Sequence, residues 1–92
     1  MANHKSAIKR ARQNECRRLR NKGYKTKVKN AIKGVRAAVA DGSVEQAEER
    51  FACAVSIIQK TASKGVIHRR NGSRRISRLA RSVNNLIAIN SQ

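Results

Sequence analysis

Few side chains in this sequence could make or break a bond. His4 and His68 are the only imidazoles, and Cys16 and Cys53 the only thiols. The carboxylates are Glu15, Asp41, Glu45, Glu48 and Glu49. A general base needs a partner that orients it, and no acid lies near either histidine in sequence. A zinc site would need His4, Cys16, Cys53 and His68 to converge, yet none forms a C-x-x-C or H-x₃-H unit. The residue types therefore point away from an enzyme, a cofactor and a metal centre. What is abundant is fixed positive charge: 22 Lys and Arg against five acids, a formal net charge of +17 and a sequence pI of about 11.7. Clustered bases at such a pI are the electrostatic signature of a nucleic-acid binder.

That charge is unevenly distributed. Positions 1–40 hold thirteen bases and one acid, positions 41–59 four acids and one base (Arg50), and the rest eight bases and no acid. A solvated surface normally mixes both signs, and the outer two blocks do not. The two aromatic residues, Tyr24 and Phe51, are too few for a platform that stacks single-stranded bases. A binder of this composition contacts phosphates, which position the protein without reading sequence. Recognition then rests on the shape of a folded RNA. Arginine dominates the last block and suits bidentate phosphate contacts, whereas the lysines of the first act as point charges.

The elements that must carry these bases are helices. Proline is absent, which permits long uninterrupted ones. Asp41-Gly42 ends the first, with Gly42 suited to the left-handed position after a helix. Ser43 and Gln46 form a capping-box pattern, and Glu45 suits the positive end of helix two. Lys64-Gly65 is the next stop. The spacing predicts helices over about 6–40 and 44–63, and a third that begins between Arg70 and Ser73 and reaches Ile89.

Apolar residues follow the i, i+3, i+4, i+7 pattern in all three. The stripes are Tyr24, Val28, Ala31, Ile32, Val35 and Val39; then Val44, Ala47, Phe51, Ala54, Val55, Ile58 and Ala62; then Ile76, Leu79, Ala80, Val83, Leu86 and Ile87. Cys53 and Ile57 fall on the other face of helix two. Three stripes joined by short turns define an all-α, three-helix bundle. Gly23 and Gly34 interrupt helix one with no reason visible locally.

The first stripe stops at Tyr24. Continued backwards, the core face meets Asn21, Arg17, Asn14 and Arg10, while Ile8 and Leu19 fall near the opposite side. The upstream half therefore cannot pack on the bundle and projects from it as a basic arm. The expected layout is a single domain over 1–92, with an arm at 1–23 and a body at 24–92. The helix would span roughly 50 Å, and repulsion between its like charges opposes helix formation in the free arm.

On helix one, Arg18, Lys22, Lys25, Lys29, Lys33 and Arg36 form a flank beside the stripe. On helix three, Arg74, Arg78 and Arg81 lie opposite the stripe. From charge and placement, Arg12, Arg18, Arg20, Lys22, Lys25, Lys29, Arg69, Arg70, Arg75 and Arg81 become candidate RNA contacts.

Other classes fit less well. A leucine zipper needs sustained heptads with leucine, and the chain has three leucines, interrupted by glycine stops. A nonspecific DNA-compacting protein is compatible with the charge alone. A membrane-active helix wants bulky apolar residues that the arm lacks. There is no apolar run near the roughly 18 residues of a membrane span, and no apolar core of a secretory signal. Two cysteines make no disulfide framework, so a reducing, cytosol-like compartment is expected.

Three motifs carry a resemblance. The opening Ala2-Asn3-His4-Lys5-Ser6-Ala7-Ile8-Lys9-Arg10, continuing through Arg17-Arg18-Leu19-Arg20-Asn21, resembles that of the bacterial small-subunit ribosomal protein twenty family. Lys64-Gly65-Val66-Ile67-His68 and Ser77-Arg78-Leu79-Ala80 match the same family in order and spacing. The resemblance implies a three-helix protein that binds small-subunit ribosomal RNA during assembly, its N-terminal helix inserted among RNA helices. It adds Asn3, Lys5, Ser6, Lys9, Arg10, Arg17, Lys64, His68, Arg74 and Arg78 as RNA contacts. It further implies a ribosome-bound protein of the cytoplasm or an organelle, with few or no protein contacts, no membrane and no independent homo-oligomer. Departures fall at the start of helix three: Arg70 where the family usually has Asn, Gly72 and Ser73 where it has Ala, and Ile76 where Lys is common.

Overall fold

The computed structural model describes residues 2–91, with side chains from Lys5 onward. It contains three helices, α1 (Ala2–Ala40), α2 (Val44–Ser63) and α3 (Arg69–Asn90), and no strand among the described residues. The all-α expectation holds, and the bounds of α2 match the expected ones.

Both turns close with the same device. At the end of α1 the Ser43 N–H donates to the Ala38 carbonyl at 3.2 Å, and the Gly42 N–H to that of Val39 at 3.0 Å. At the end of α2 the Val66 N–H donates to Thr61 at 3.3 Å, and the Gly65 N–H to Ala62 at 3.0 Å. This pairing requires a left-handed residue after the helix, and Gly42 and Gly65 supply it with φ of 74° and 76°. The Ser43 hydroxyl caps α2 by accepting from the Gln46 N–H at 3.4 Å.

The third helix begins earlier than expected. His68 is its N-cap: the imidazole Nδ1 accepts from the Arg70 N–H at 3.1 Å. Histidine is not among the preferred caps, and Arg69-Arg70 carries no apolar periodicity, so residue types alone do not mark this helix start.

Three contacts between elements orient the bundle. Arg50 Nη1 on α2 donates to the Gly34 carbonyl on α1 at 3.1 Å. Lys64 Nζ, at the end of α2, stands 5.5 Å from the centre of the Tyr24 ring on α1. Asn90 Nδ2, at the end of α3, donates to the Gly42 carbonyl at 3.4 Å. Helix α2 thus returns antiparallel along the second half of α1, and α3 runs back towards the α1–α2 turn. The core comprises Val28, Ile32, Val35 and Ala38 of α1, Ala47, Ala54 and Ile58 of α2, and Leu79, Val83 and Leu86 of α3.

Small and polar residues complete it where the apolar stripes gave no signal. Ala38 and Thr61 are fully buried; the Thr61 hydroxyl is satisfied by donating to the Ile57 carbonyl at 2.8 Å. Gly72 lets α3 approach α2, since a Cβ there would meet Ile58 Cγ2 at 3.3 Å. Ile57, expected to face away, is half-buried against the core, whereas Cys53 is exposed.

None of this packing involves the first half of α1. Every side chain from Lys5 to Arg20 is exposed, including Ile8 and Leu19. Burial begins at Asn21 and Tyr24. At about 1.5 Å per residue, α1 runs roughly 58 Å. The chain consequently measures 73 Å along its longest axis and only 22 and 13 Å across. Its radius of gyration is 18.3 Å, against about 12 Å for a globule of this length.

Candidate nucleic-acid interface

The bases sort into three surfaces. The first is the arm. Lys5, Ser6, Lys9, Arg10, Arg12, Arg17, Arg20 and Lys22 are all exposed on α1 with no tertiary neighbour to hold them. The side chain of Asn3 lies outside the described residues. Arg18 is the exception in the arm: its Nη2 and Nε bond Glu15 at 2.6 and 3.2 Å. This is the only ion pair among the described residues. Both partners are exposed, so the pair contributes little stability.

The second surface surrounds Tyr24, where arm meets body. Lys27 Nζ and Lys64 Nζ stand 5.4 and 5.5 Å from the ring centre. The ring draws the α2–α3 turn against α1 through a cation–π contact. It thereby holds two lysines together at the base of the arm. Lys64 was expected to contact RNA and Lys27 was not; their meeting on Tyr24 depends on the fold. His68 follows in the same turn and is exposed. Because Nδ1 accepts a hydrogen bond, the neutral ring carries its proton on Nε2, which leaves an outward N–H donor.

The third surface is a cleft of about 360 Å³ between α1 and α3. Lys29, Lys33 and Arg36 line it from α1, and Arg74, Arg75 and Arg78 from α3, over a floor of Ile32 and Leu79. No carboxylate lines it. The lysine flank and part of the arginine ridge, separate in sequence, thus meet face to face. Two expectations change here. Arg74 and Arg78, expected opposite the stripe, both line the cleft shared with α1, and Arg75 lines it with them. Lys33 and Arg36, which the sequence marks only as part of the flank, line the cleft.

Within the cleft Arg75 is half-buried, and its Nε donates to the Asn71 side-chain oxygen at 2.7 Å. The Ser82 hydroxyl is turned back onto the Arg78 carbonyl at 3.3 Å. Arg81 is exposed outside the cleft, Lys25 is exposed on α1, Arg70 is exposed, and Arg69 borders a separate shallow groove with Gln59, Ser63 and Ile76. The acidic residues of α2, Glu45, Glu48 and Glu49, are exposed and pair with no base among the described residues.

No group of three or more His, Cys, Asp or Glu that could hold a metal occurs among the described residues. No described helix is long and apolar enough to cross a membrane. What the fold does present is fixed cation: an exposed arm, a lysine pair on a tyrosine and a carboxylate-free cleft. These define a small, all-α, polyanion-binding protein.

Comparison with known proteins narrows that class. The model of the family "Ribosomal protein S20" matches residues 2–84. The chain is 56% identical over 86 residues to "Small ribosomal subunit protein bS20" of Syntrophobacter fumaroxidans, covering 94% of this chain and 100% of that protein. It is 51% identical over 86 residues to the protein of the same name from Oleidesulfovibrio alaskensis, covering 94% and 99%. With that of Desulfatibacillum aliphaticivorans the identity is 53% over 83 residues, covering 90% and 94%. The chain belongs to the ribosomal protein S20 family, a family of ribosomal structural proteins and not of enzymes.

Proposed function

We propose that the protein is a structural constituent of the small ribosomal subunit that binds and stabilises small-subunit ribosomal RNA during assembly. The observation that carries this reading is the meeting of Lys29, Lys33, Arg36, Arg74, Arg75 and Arg78 in one cleft without a carboxylate, in a chain whose curated relatives are named small ribosomal subunit proteins.

In this reading residues 1–23 are the arm that enters the RNA, and 24–92 are the body that seats against it. In the arm the contacting residues are Asn3, Lys5, Ser6, Lys9, Arg10, Arg12, Arg17, Arg18, Arg20 and Lys22. On the body they are Lys25, Lys29, Lys64, His68, Arg69, Arg70, Arg74, Arg75, Arg78 and Arg81, joined in the cleft by Lys33 and Arg36. The acidic face of α2 turns away from most of the RNA, since it would repel phosphate. The protein works in the cytoplasm on the ribosome, with few protein contacts and no homo-oligomer of its own.

Competition at matched salt tests the reading. Labelled protein bound to small-subunit RNA is challenged with excess duplex DNA or, in parallel, with excess unlabelled small-subunit RNA. Retained binding supports a ribosomal partner; equal displacement by either competitor would identify a nonspecific polyanion binder instead. Co-sedimentation with small subunits from a lysate provides the second readout.

A further inference from the structure

We propose that the cleft between α1 and α3 is a discrete phosphate-binding site whose anchor is Arg75, held in place by Asn71. Its ligand is a phosphate group, either a phosphodiester of the RNA backbone or a phosphoryl group of a free oligophosphate. The choice of RNA as one source rests on the function proposed above; the site itself stands on geometry.

The bases of the arm are exposed on α1, and among them only Arg18, paired with exposed Glu15, has a side-chain partner. Arg75 differs. It is half-buried, and its Nε is committed to Asn71 at 2.7 Å, one helical turn away. The guanidinium is planar, so fixing Nε fixes the two Nη groups, and these remain free for an oxyanion. Arg74 and Arg78 flank it on α3, and Lys29, Lys33 and Arg36 face it from α1. Such an arrangement places a preorganised fork among five other cations, at a recess of about 360 Å³ that no carboxylate lines. Preorganisation lowers the ordering cost of binding, so the cleft prefers phosphate over an equal amount of diffuse negative charge. Asn71 touches no ligand in this scheme; it is a positioning residue.

The test titrates tripolyphosphate into the full-length protein at constant ionic strength, following the arginine Nε–H signals by NMR. The Arg75 Nε–H, already bonded, exchanges slowly with water in the free protein. Saturable binding that moves the Arg75 signal ahead of the arm arginines is the expected result. Asn71→Ala, which leaves charge unchanged, weakens binding about three- to tenfold, and Arg75→Lys weakens it about tenfold, since a bidentate contact to a charged group is lost. Asn71→Asp places a carboxylate on the anchor and weakens it further. Circular dichroism confirms that each variant keeps its helices.

Uniform movement of all arginine signals, reproduced by chloride or sulfate at equal ionic strength, would overturn the site. So would Asn71→Ala or Arg75→Lys binding tripolyphosphate as the wild type does. The same variants are then bound to small-subunit RNA. A parallel loss assigns the cleft to the RNA backbone; unchanged RNA affinity beside weakened tripolyphosphate binding assigns it to a free oligophosphate. Loss of preference for small-subunit RNA over DNA in the wild type would sink the ribosomal function and leave the cleft standing.

Discussion

Arg50 and Gly34 are joined across the α1–α2 interface by a 3.1 Å hydrogen bond from the guanidinium to the helix carbonyl. Arg50 is the one base of the acidic middle block, and it serves structure instead of a phosphate. Replacing it with alanine should lower stability by about 1 kcal/mol, read as a fall in the urea midpoint, without weakening RNA binding beyond that. The glycine opposite is not required by space: a Cβ at Gly34 would lie 3.7 Å from Arg50 Cδ, an ordinary contact. Gly34→Ala should therefore be neutral or stabilising by up to about 1 kcal/mol, the helix-propensity difference.

The turn glycines should behave in the opposite way. Gly42 and Gly65 have open space around them but positive φ. An alanine there adopts a left-handed backbone at a cost of roughly 1–2 kcal/mol. Equilibrium unfolding of Gly42→Ala and Gly65→Ala should show losses of that size; an unchanged midpoint would mean that the turns are rebuilt.

His68→Ala should cost about 1 kcal/mol by removing the cap of α3. His68→Asn should restore stability, because asparagine caps well. If His68 also donates to phosphate through Nε2, the asparagine variant recovers stability but not full RNA affinity, which binding at matched salt resolves.

Affinity for duplex RNA should fall linearly on a log–log salt plot, with a slope of about −0.9 per phosphate neutralised. Arg78→Gln in the cleft should reduce that slope by about one. A slope that does not change would show that Arg78 contacts no phosphate.

Nothing tertiary supports the helix between Lys5 and Arg20, and like charges oppose it. Far-ultraviolet circular dichroism of the free protein should thus fall short of three full helices and rise when RNA is added. Gly23→Ala, at a position where a Cβ meets nothing within 4 Å, should raise the free value by favouring helix across the junction.

Much of the fold was legible in residue types. Gly42, Ser43 and Gly65 announced the turns because only certain residues adopt those conformations or supply those caps. The apolar stripes located the core, and the failure of the first stripe upstream of Tyr24 placed the arm. Residues whose side chains carry weak signals escaped. Ala38, Thr61 and Gly72 are buried because of what packs on them, not because of their own hydrophobicity. The cap at His68 depends on one imidazole orientation. In the candidate site, the individual bases were visible but their grouping was not. Lys33 and Arg36 join Arg75 and Arg78 only once α3 is laid beside α1, and Asn71 acquires a role only through its contact with Arg75.

The continuity of α1 has a mechanical consequence. Arm and body share one helix with no break, so the azimuth of every arm side chain is phase-locked to the cleft. One residue inserted near Gly23 would swing the whole upstream face by about 100° and advance it about 1.5 Å. Excising seven would shorten the lever by about 10 Å yet turn it only about 20°. Length and angular phase are thus separately adjustable in this protein, and the phase, not the reach, is what a single-residue insertion or deletion would spoil.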